Sequence, residues 1–158
     1  MVVMDVIRDT QGGLKYLRNA CEYLENEEKS VYTGGFGVNP YNVNQTFRQM
    51  VSIRQYFEKT SGNPLIHFII SFDEVVQKEE DAIMFTKNLA SFFSSRHQVL
   101  YCVHYKPRNC SLYHAHIIIN AVSFVNGMMY NSSAAEINMY ANYATELLCR
   151  RVRWHFGR

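Results

Sequence analysis

From Gly13 to Asn26 the apolar residues Leu14, Leu17, Ala20, Cys21 and Leu24 recur at helical spacing, and Phe47, Met50, Val51, Ile53 and Phe57 predict a second helix from about Val43 to Lys59. Leu65 to Phe72, bounded by Asn63-Pro64 and rich in Ile and Phe, reads as a strand, and Glu74 to Ser95 as a third amphipathic helix. The segments Gln98 to Tyr105 and Leu112 to Phe124 are β-rich, and Lys106 to Ser111 between them, with Pro107 and Asn109, suits a hairpin loop. A helix from about Ser132 to Arg150 and a short strand around Val152 to Phe156 complete the prediction. The strongest breakers are Gly12-Gly13, the stretch Thr33-Gly34-Gly35-Phe36-Gly37 with Pro40, and Gly62-Asn63-Pro64. The expected class is α+β, one domain over residues 1–158, with a central antiparallel or mixed sheet and flanking helices mainly on one of its faces.

With 158 residues, 47% of them hydrophobic and 19% charged, the chain can bury a core and is not of disordered or linker composition. Its longest apolar runs, such as Ala115 to Val122, fall well short of the roughly 18 residues needed to cross a bilayer. The segment from Met1 to Arg8 carries Asp5 and lacks the apolar core and small-residue cleavage site of a leader, so a cytoplasmic location is expected. A net charge of +2 is too small for coating nucleic acid by electrostatics alone, but the charges are unevenly placed. Glu22, Glu25, Glu27 and Glu28 are grouped early, whereas Arg150, Arg151, Arg153 and Arg158 make the last stretch basic. Cys21, Cys102, Cys110 and Cys149 show neither a Cys-x-x-Cys pair nor a disulfide framework, and reduced thiols are expected.

Along a strand alternate side chains share a face, so in Tyr113-His114-Ala115-His116-Ile117-Ile118-Ile119-Asn120 the residues His114, His116, Ile118 and Asn120 point one way. If the hairpin closes, His104 lies opposite or diagonal to the histidine pair, and three neutral imidazoles can converge on one divalent ion with positions left open. Imidazole suits Zn, Mn, Fe, Ni or Cu, so the ligand set does not name the metal. His67 shares its face with Ile69 and Ser71 and reads as a structural histidine, while His97 and His155 fall near element ends. Tyr16 and Tyr23 lie on nearly one line at the margin of the first helix's apolar stripe, where tyrosines are often placed for packing.

Four segments occur in the order and approximate spacing of the relaxase/mobilization nucleases: Cys21-Glu-Tyr23-Leu-Glu-Asn-Glu-Glu-Lys29, Thr33-Gly-Gly-Phe-Gly-Val-Asn-Pro40, His67-Phe-Ile-Ile-Ser-Phe72 and His114-Ala-His116-Ile-Ile-Ile-Asn120. The chain thus resembles, from about Leu14 to Arg150, members of the HUH endonuclease superfamily, which nick a mobile element at its transfer origin. The resemblance implies that Tyr23 is the nucleophile, forming a 5′-phosphotyrosine intermediate, and that His104, His114 and His116 bind the metal. It implies a divalent cofactor, Mn or Mg as the first choice and Zn, Ni or another ion as alternatives. The implied partner is single-stranded DNA at a transfer origin, with accessory relaxosome and coupling proteins, no membrane, and a monomeric state.

Lys106, Arg108, Arg150, Arg151 and Arg153 are candidates for backbone phosphate contacts. Two departures stand out: Lys106 occupies a position where the family usually has an acidic residue, and the stretch from His104 to His114 is longer than usual. No general base is identified; His67 and Glu74 are positional candidates. Three rival readings remain open at the level of sequence. A replication initiator or single-strand transposase would use Tyr140 or Tyr143, a noncatalytic accessory module would only bind DNA, and a small-molecule metalloenzyme would show a deep pocket above the histidines.

Overall fold

Residues 1–8, 13–26, 28–108 and 110–157 are described in a computed structural model, without the side chains of 107, 108 and 110–112. The elements run β1 (Val2–Ile7), α1 (Leu14–Leu24), β2 (Ser30–Phe36), α2 (Val43–Tyr56), β3 (Leu65–Ser71), α3 (Glu79–Ser91), β4 (Val99–Arg108), β5 (Cys110–Asn120), α4 (Ala134–Leu148) and β6 (Val152–Phe156). The strands form a sheet in the order β2-β4-β5-β3-β1-β6; β1 and β6 pair in parallel and the other neighbours are antiparallel. The expected mixed α+β architecture is therefore what the chain adopts.

The helices cover both sheet faces, not mainly one. On one face α3 and α4 bury Leu89, Ala90, Ile137, Tyr140 and Ala144 against Met4, Phe68, Ile70, Val103, Ile117 and Ile119. On the other, α1 and α2 bury Leu17, Cys21, Leu24 and Met50 against Leu65, Leu100, Cys102 and Ile118. The cause is visible in β5, where Ile117 and Ile119 alternate with Ile118, so that both faces need apolar cover. Asn120 fastens the second layer: its side-chain amide donates to the Met50 carbonyl at 3.1 Å and to Gln98 Oε1 at 2.9 Å. Gln98 in turn donates to the carbonyls of Gly37 and Gln49, at 3.1 and 3.2 Å.

Four local features differ from the sequence pattern. The β1 segment alternates buried and half-buried residues, and a charge at Asp5 on the less covered face had obscured it. The glycine-rich stretch read as a breaker is the strand β2; Gly34 lies across from Tyr101, whose ring occupies the space a side chain would need. The proposed loop from Lys106 to Ser111 is instead ladder, paired as far as Arg108 opposite Cys110. Pro107 is tolerated there because β2 pairs with β4 only as far as His104, leaving the flank of β4 at Pro107 as a sheet edge. The predicted third helix splits, with a 3-10 turn at Asp73–Val75 before α3, whose first turn carries Glu79, Glu80 and Asp81 where the helix dipole favours anions. Gly34→Ala is expected to destabilise the fold by about 1–3 kcal/mol through this clash, measurable by chemical denaturation.

Candidate active site

The face that carries Leu100, Cys102 and Ile118 under α1 and α2 continues, beyond the cover of these helices, into a polar region. There His104 sits directly opposite His114, and Cys102 opposite His116. On the neighbouring strand Ser71 is opposite His114 and Ile69 opposite His116, with His67 one alternation further on. Thus His67, His104, His114 and His116 share one face. The ring centroids of His104 and His116 are 4.2 Å apart, those of His67 and His116 5.3 Å.

Tyr23 stands on the last turn of α1 and reaches this cluster. Its ring meets those of His104 and His116 edge-on, at centroid distances of 5.4 and 5.5 Å. Two hydroxyls of β2 hold the turn: Ser30 Oγ and Thr33 Oγ1 donate to the Leu24 carbonyl, at 3.1 and 3.5 Å, satisfying an acceptor left open at the helix end. Because Ser30 is the register partner of His104, the phenol is fixed to the same frame as the imidazoles. Lys29 Nζ lies 5.0 Å from the Tyr23 ring centroid. Tyr23 remains partly exposed, at 37%.

The electrostatics follow from burial and crowding. Burial, then the charges of His114, Lys29 and Lys106, hold His104 down at about 4. Burial, then His67, His104, His114 and Lys106, takes His116 to about 2, and burial followed by His104 takes His67 to about 4. All three rings are neutral at pH 7, the state in which imidazole presents a lone pair to a metal or accepts a hydrogen bond. The Tyr23 phenol moves upward, through burial and then the neighbouring Cys102. Glu25, half-buried at the cap of α1 and bonded by the Thr46 hydroxyl at 2.9 Å, is pushed to about 7 by burial. It belongs to the α1–α2 contact, since side chains two residues apart on a helix do not face each other.

Does the donor set fit a divalent ion? Among the described residues no group of three His, Cys, Asp or Glu side chains converges as a ligand cage. His116 Nδ1 is 3.1 Å from His67 Nε2, and His104 Nε2 is 3.3 Å from Cys102 Sγ. Each ring therefore spends one nitrogen on a neighbour, leaving Nε2 of His116 and Nδ1 of His104 for another partner. An imidazole whose second nitrogen is held by a neighbour is the usual arrangement around a metal ligand, and the donor chemistry fits.

The other candidates separate clearly. Lys106 is exposed and on the histidine face, close enough to lower both His104 and His116. Arg153 is exposed on the same face, in register with Val3, Ser71 and His114, three strands and about 14 Å away. Arg150 and Arg151 are exposed at the turn between α4 and β6. The Arg108 side chain lies outside the described residues. Tyr140 and Tyr143 are on the opposite face, their hydroxyls donating to the carbonyls of Leu89 and Asn88 at 2.9 and 3.0 Å. The sheet separates them from the imidazoles. Glu74 is exposed in the turn after β3, and His155 pairs with Asp5 at 2.5 Å at the far edge of the sheet.

The MobA/VirD2-like relaxase nuclease domain matches residues 16–154. The chain belongs to this relaxase family. Members generally use a divalent metal ion and act on single-stranded DNA at a transfer origin. The fold is also that of a solved structure from work on the molecular basis of vancomycin resistance transfer in Staphylococcus aureus, with TM-score 0.60, 11% sequence identity, and coverage of 100% of this chain and 98% of that one. No curated protein matches the sequence. Among the described residues of this relaxase domain no helix is long and apolar enough to cross a membrane.

One residue near the phenol escaped the reading of candidates. Lys29 is in the Tyr23 segment, but nothing in the spacing tells that its ammonium returns to the tyrosine ring. His67, a structural histidine by its pattern and a positional candidate for a base, contacts His116 through their ring nitrogens at 3.1 Å.

The depressed histidines make a signed prediction. A ring at about 6.5 when unfolded and about 2 when folded stabilises the fold above pH 6.5, and that contribution is lost as pH falls toward 2. Between pH 7 and pH 5 the metal-free protein should lose more stability than His116→Gln, by on the order of 1–2 kcal/mol, in denaturant titrations at the two pH values.

Proposed function

We propose that this relaxase domain nicks single-stranded DNA by transesterification with Tyr23 as nucleophile. The observation that carries this reading is the edge contact of the Tyr23 ring with both His104 and His116 on the open part of one sheet face. Tyr23 Oη attacks the scissile phosphorus; the bond from Oη to phosphorus forms and the bond from phosphorus to the 3′ oxygen breaks. The products are a 5′-phosphotyrosine and a 3′-hydroxyl, which carries the proton the phenol gave up, and the reverse attack rejoins the strand. His104, His114 and His116 would hold a divalent ion, which when bound polarises the scissile phosphate and neutralises charge developing on its oxygens.

The remaining roles belong to the chain itself. A phenol at pKa about 10 is only about 0.1% ionised at pH 7, and burial lowers that fraction here. The imidazoles beside it, at about 4 and about 2, are too weakly basic to remove the proton efficiently. Lys29, 5.0 Å from the ring, supplies the positive field that favours phenolate character in the transition state. His67 keeps His116 oriented through the contact between their ring nitrogens. Lys106 and Arg153 contact backbone phosphates on either side of the cluster, a role consistent with Lys106 replacing an acidic residue.

The test is covalent capture of labelled single-stranded oligonucleotides tiling the transfer origin of the host element, run on denaturing gels. Adducts should form with Mn²⁺ or Mg²⁺, vanish with chelator, and be absent in Tyr23→Phe while persisting in Tyr143→Phe. Adducts that survive Tyr23→Phe, or binding with no adduct under any divalent ion, would remove the nucleophile from Tyr23. Lys29→Met should slow adduct formation at pH 7, and less at higher pH, where more of the phenol is ionised.

A further inference from the structure

A cavity of about 850 Å³ opens between the start of α1, the last turns of α2 and the segment 58–64, and neither Tyr23 nor the histidines line it. Arg54 lines it from α2 and is only 7% exposed. Its Nη1 is fully buried with no hydrogen-bond partner, and no carboxylate pairs with it among the described residues. A guanidinium nitrogen taken out of water with no partner among the described residues is costly, and an anion bound beside the guanidinium would offset that cost. Burial alone accounts for the downward shift of its pKa.

Two further features of the cavity favour an anion. Lys59 contributes a second cation to the lining, on a turn whose backbone is fixed by the Lys59 amide donating to the Arg54 carbonyl at 2.9 Å. Gly13 and Leu14 bring the N-terminal end of α1 to the wall; this helix has no side-chain cap and no acidic residue in its first turn. The positive end of the helix dipole therefore borders the same cavity as Arg54. One carboxylate, Glu58, also lines the cavity and opposes anion binding there.

We propose that this cavity is a phosphate-binding site, with Arg54 as its principal ligand and Lys59 and the α1 amides as secondary ones. The planar fork of an arginine and several amide donors match the tetrahedral oxygens of a phosphate group. Such a phosphate can come from a free phosphoryl ligand or from the backbone of a DNA strand. The strand is the source we infer, and this step rests on the nicking function proposed above. Helix α1 runs from the cavity at Leu14 to Tyr23, a rise of about 14 Å, which a few nucleotides of a strand can span. A strand held in the cavity would be anchored at a fixed distance from the nucleophile.

The experiment has two arms on the full chain. In the first, thermal unfolding is compared in inorganic phosphate and in chloride at matched ionic strength. Phosphate should raise the midpoint of the unaltered protein, Arg54→Met should abolish the rise, Lys59→Met should weaken it, and Glu58→Gln should enlarge it. In the second, single-stranded oligonucleotide binding is measured against salt concentration in the Tyr23→Phe background with chelator, so that nicking plays no part. Arg54→Met should reduce the slope of log K against log salt by about 0.7, one phosphate contact on a single strand. Loss of the phosphate-dependent rise with an unchanged slope supports the site and replaces the strand by a free phosphoryl ligand. If Arg54→Met does not fold, Lys59→Met and Glu58→Gln carry the same comparison. No phosphate-specific rise, together with an unchanged slope in Lys59→Met and in Arg54→Met, overturns the proposal even if Tyr23 forms adducts.

Discussion

The antiparallel register of β4 and β5 sets His104 against His114 and Cys102 against His116, and every other feature of the site is placed relative to that pairing. A shift by one residue would turn the imidazoles into the core beneath α3 and α4 and bring Val103 and Ala115 to the open face. The register is secured by apolar residues on both faces of β5, since Ile117 and Ile119 serve one core and Ile118 the other. From His104 the frame passes to its register partner Ser30, and from the Ser30 hydroxyl to the carbonyl at the end of α1. Tyr23 thus inherits its position from strand pairing and a helix terminus rather than from a flexible loop.

That same framework produces the chemistry of the cluster. Covering half of a sheet face with α1 and α2 leaves the histidines at the edge of an apolar layer, buried enough to lose their protons yet beside open sheet. Neutral, crowded imidazoles are suited to bind a cation and poorly suited to act as bases. The cations around them, Lys29 and Lys106, lower the imidazoles further and raise the potential that an incoming phosphate meets. In the proposed reaction the neutral imidazoles would offer lone pairs to a divalent ion and the lysines positive charge to an anionic substrate, while proton removal from Tyr23 would have no strong neighbouring base.

The net charge of +2 hides this organisation. Lys29, Lys106 and Arg153 are drawn from three distant parts of the chain to the histidine face, while Arg54 and Lys59 gather at the other end of α1. Helix α1 joins the two regions, with its amide end at the cavity and Tyr23 at its carboxyl end. In the proposed readings, modest electropositive sites placed along one path would give local phosphate affinity without the large overall charge of a protein that coats nucleic acid.

Local sequence determined much of this. Helical spacing of Leu17, Cys21 and Leu24 gave α1, the Ser133 and Glu136 capping box marks the start of α4, and strand alternation put His114 and His116 on one face. These are short-range consequences of backbone geometry, and they are legible wherever one face is clearly apolar. The β2 strand was not, because Gly34 has no side chain to show the alternation, and the Tyr101 ring that fills the space beside it comes from across the ladder. Nor was the division of helices between two faces, since Ile117, Ile118 and Ile119 form an unbroken apolar run with no visible sidedness. The nearness of Tyr23, Lys29 and His67 to the hairpin histidines, and the burial of Arg54 without an ion pair among the described residues, were decided by tertiary structure alone. Such contacts depend on which strands become neighbours, and strand order is set by the competition of all pairings for burial, which no single stretch of residues contains.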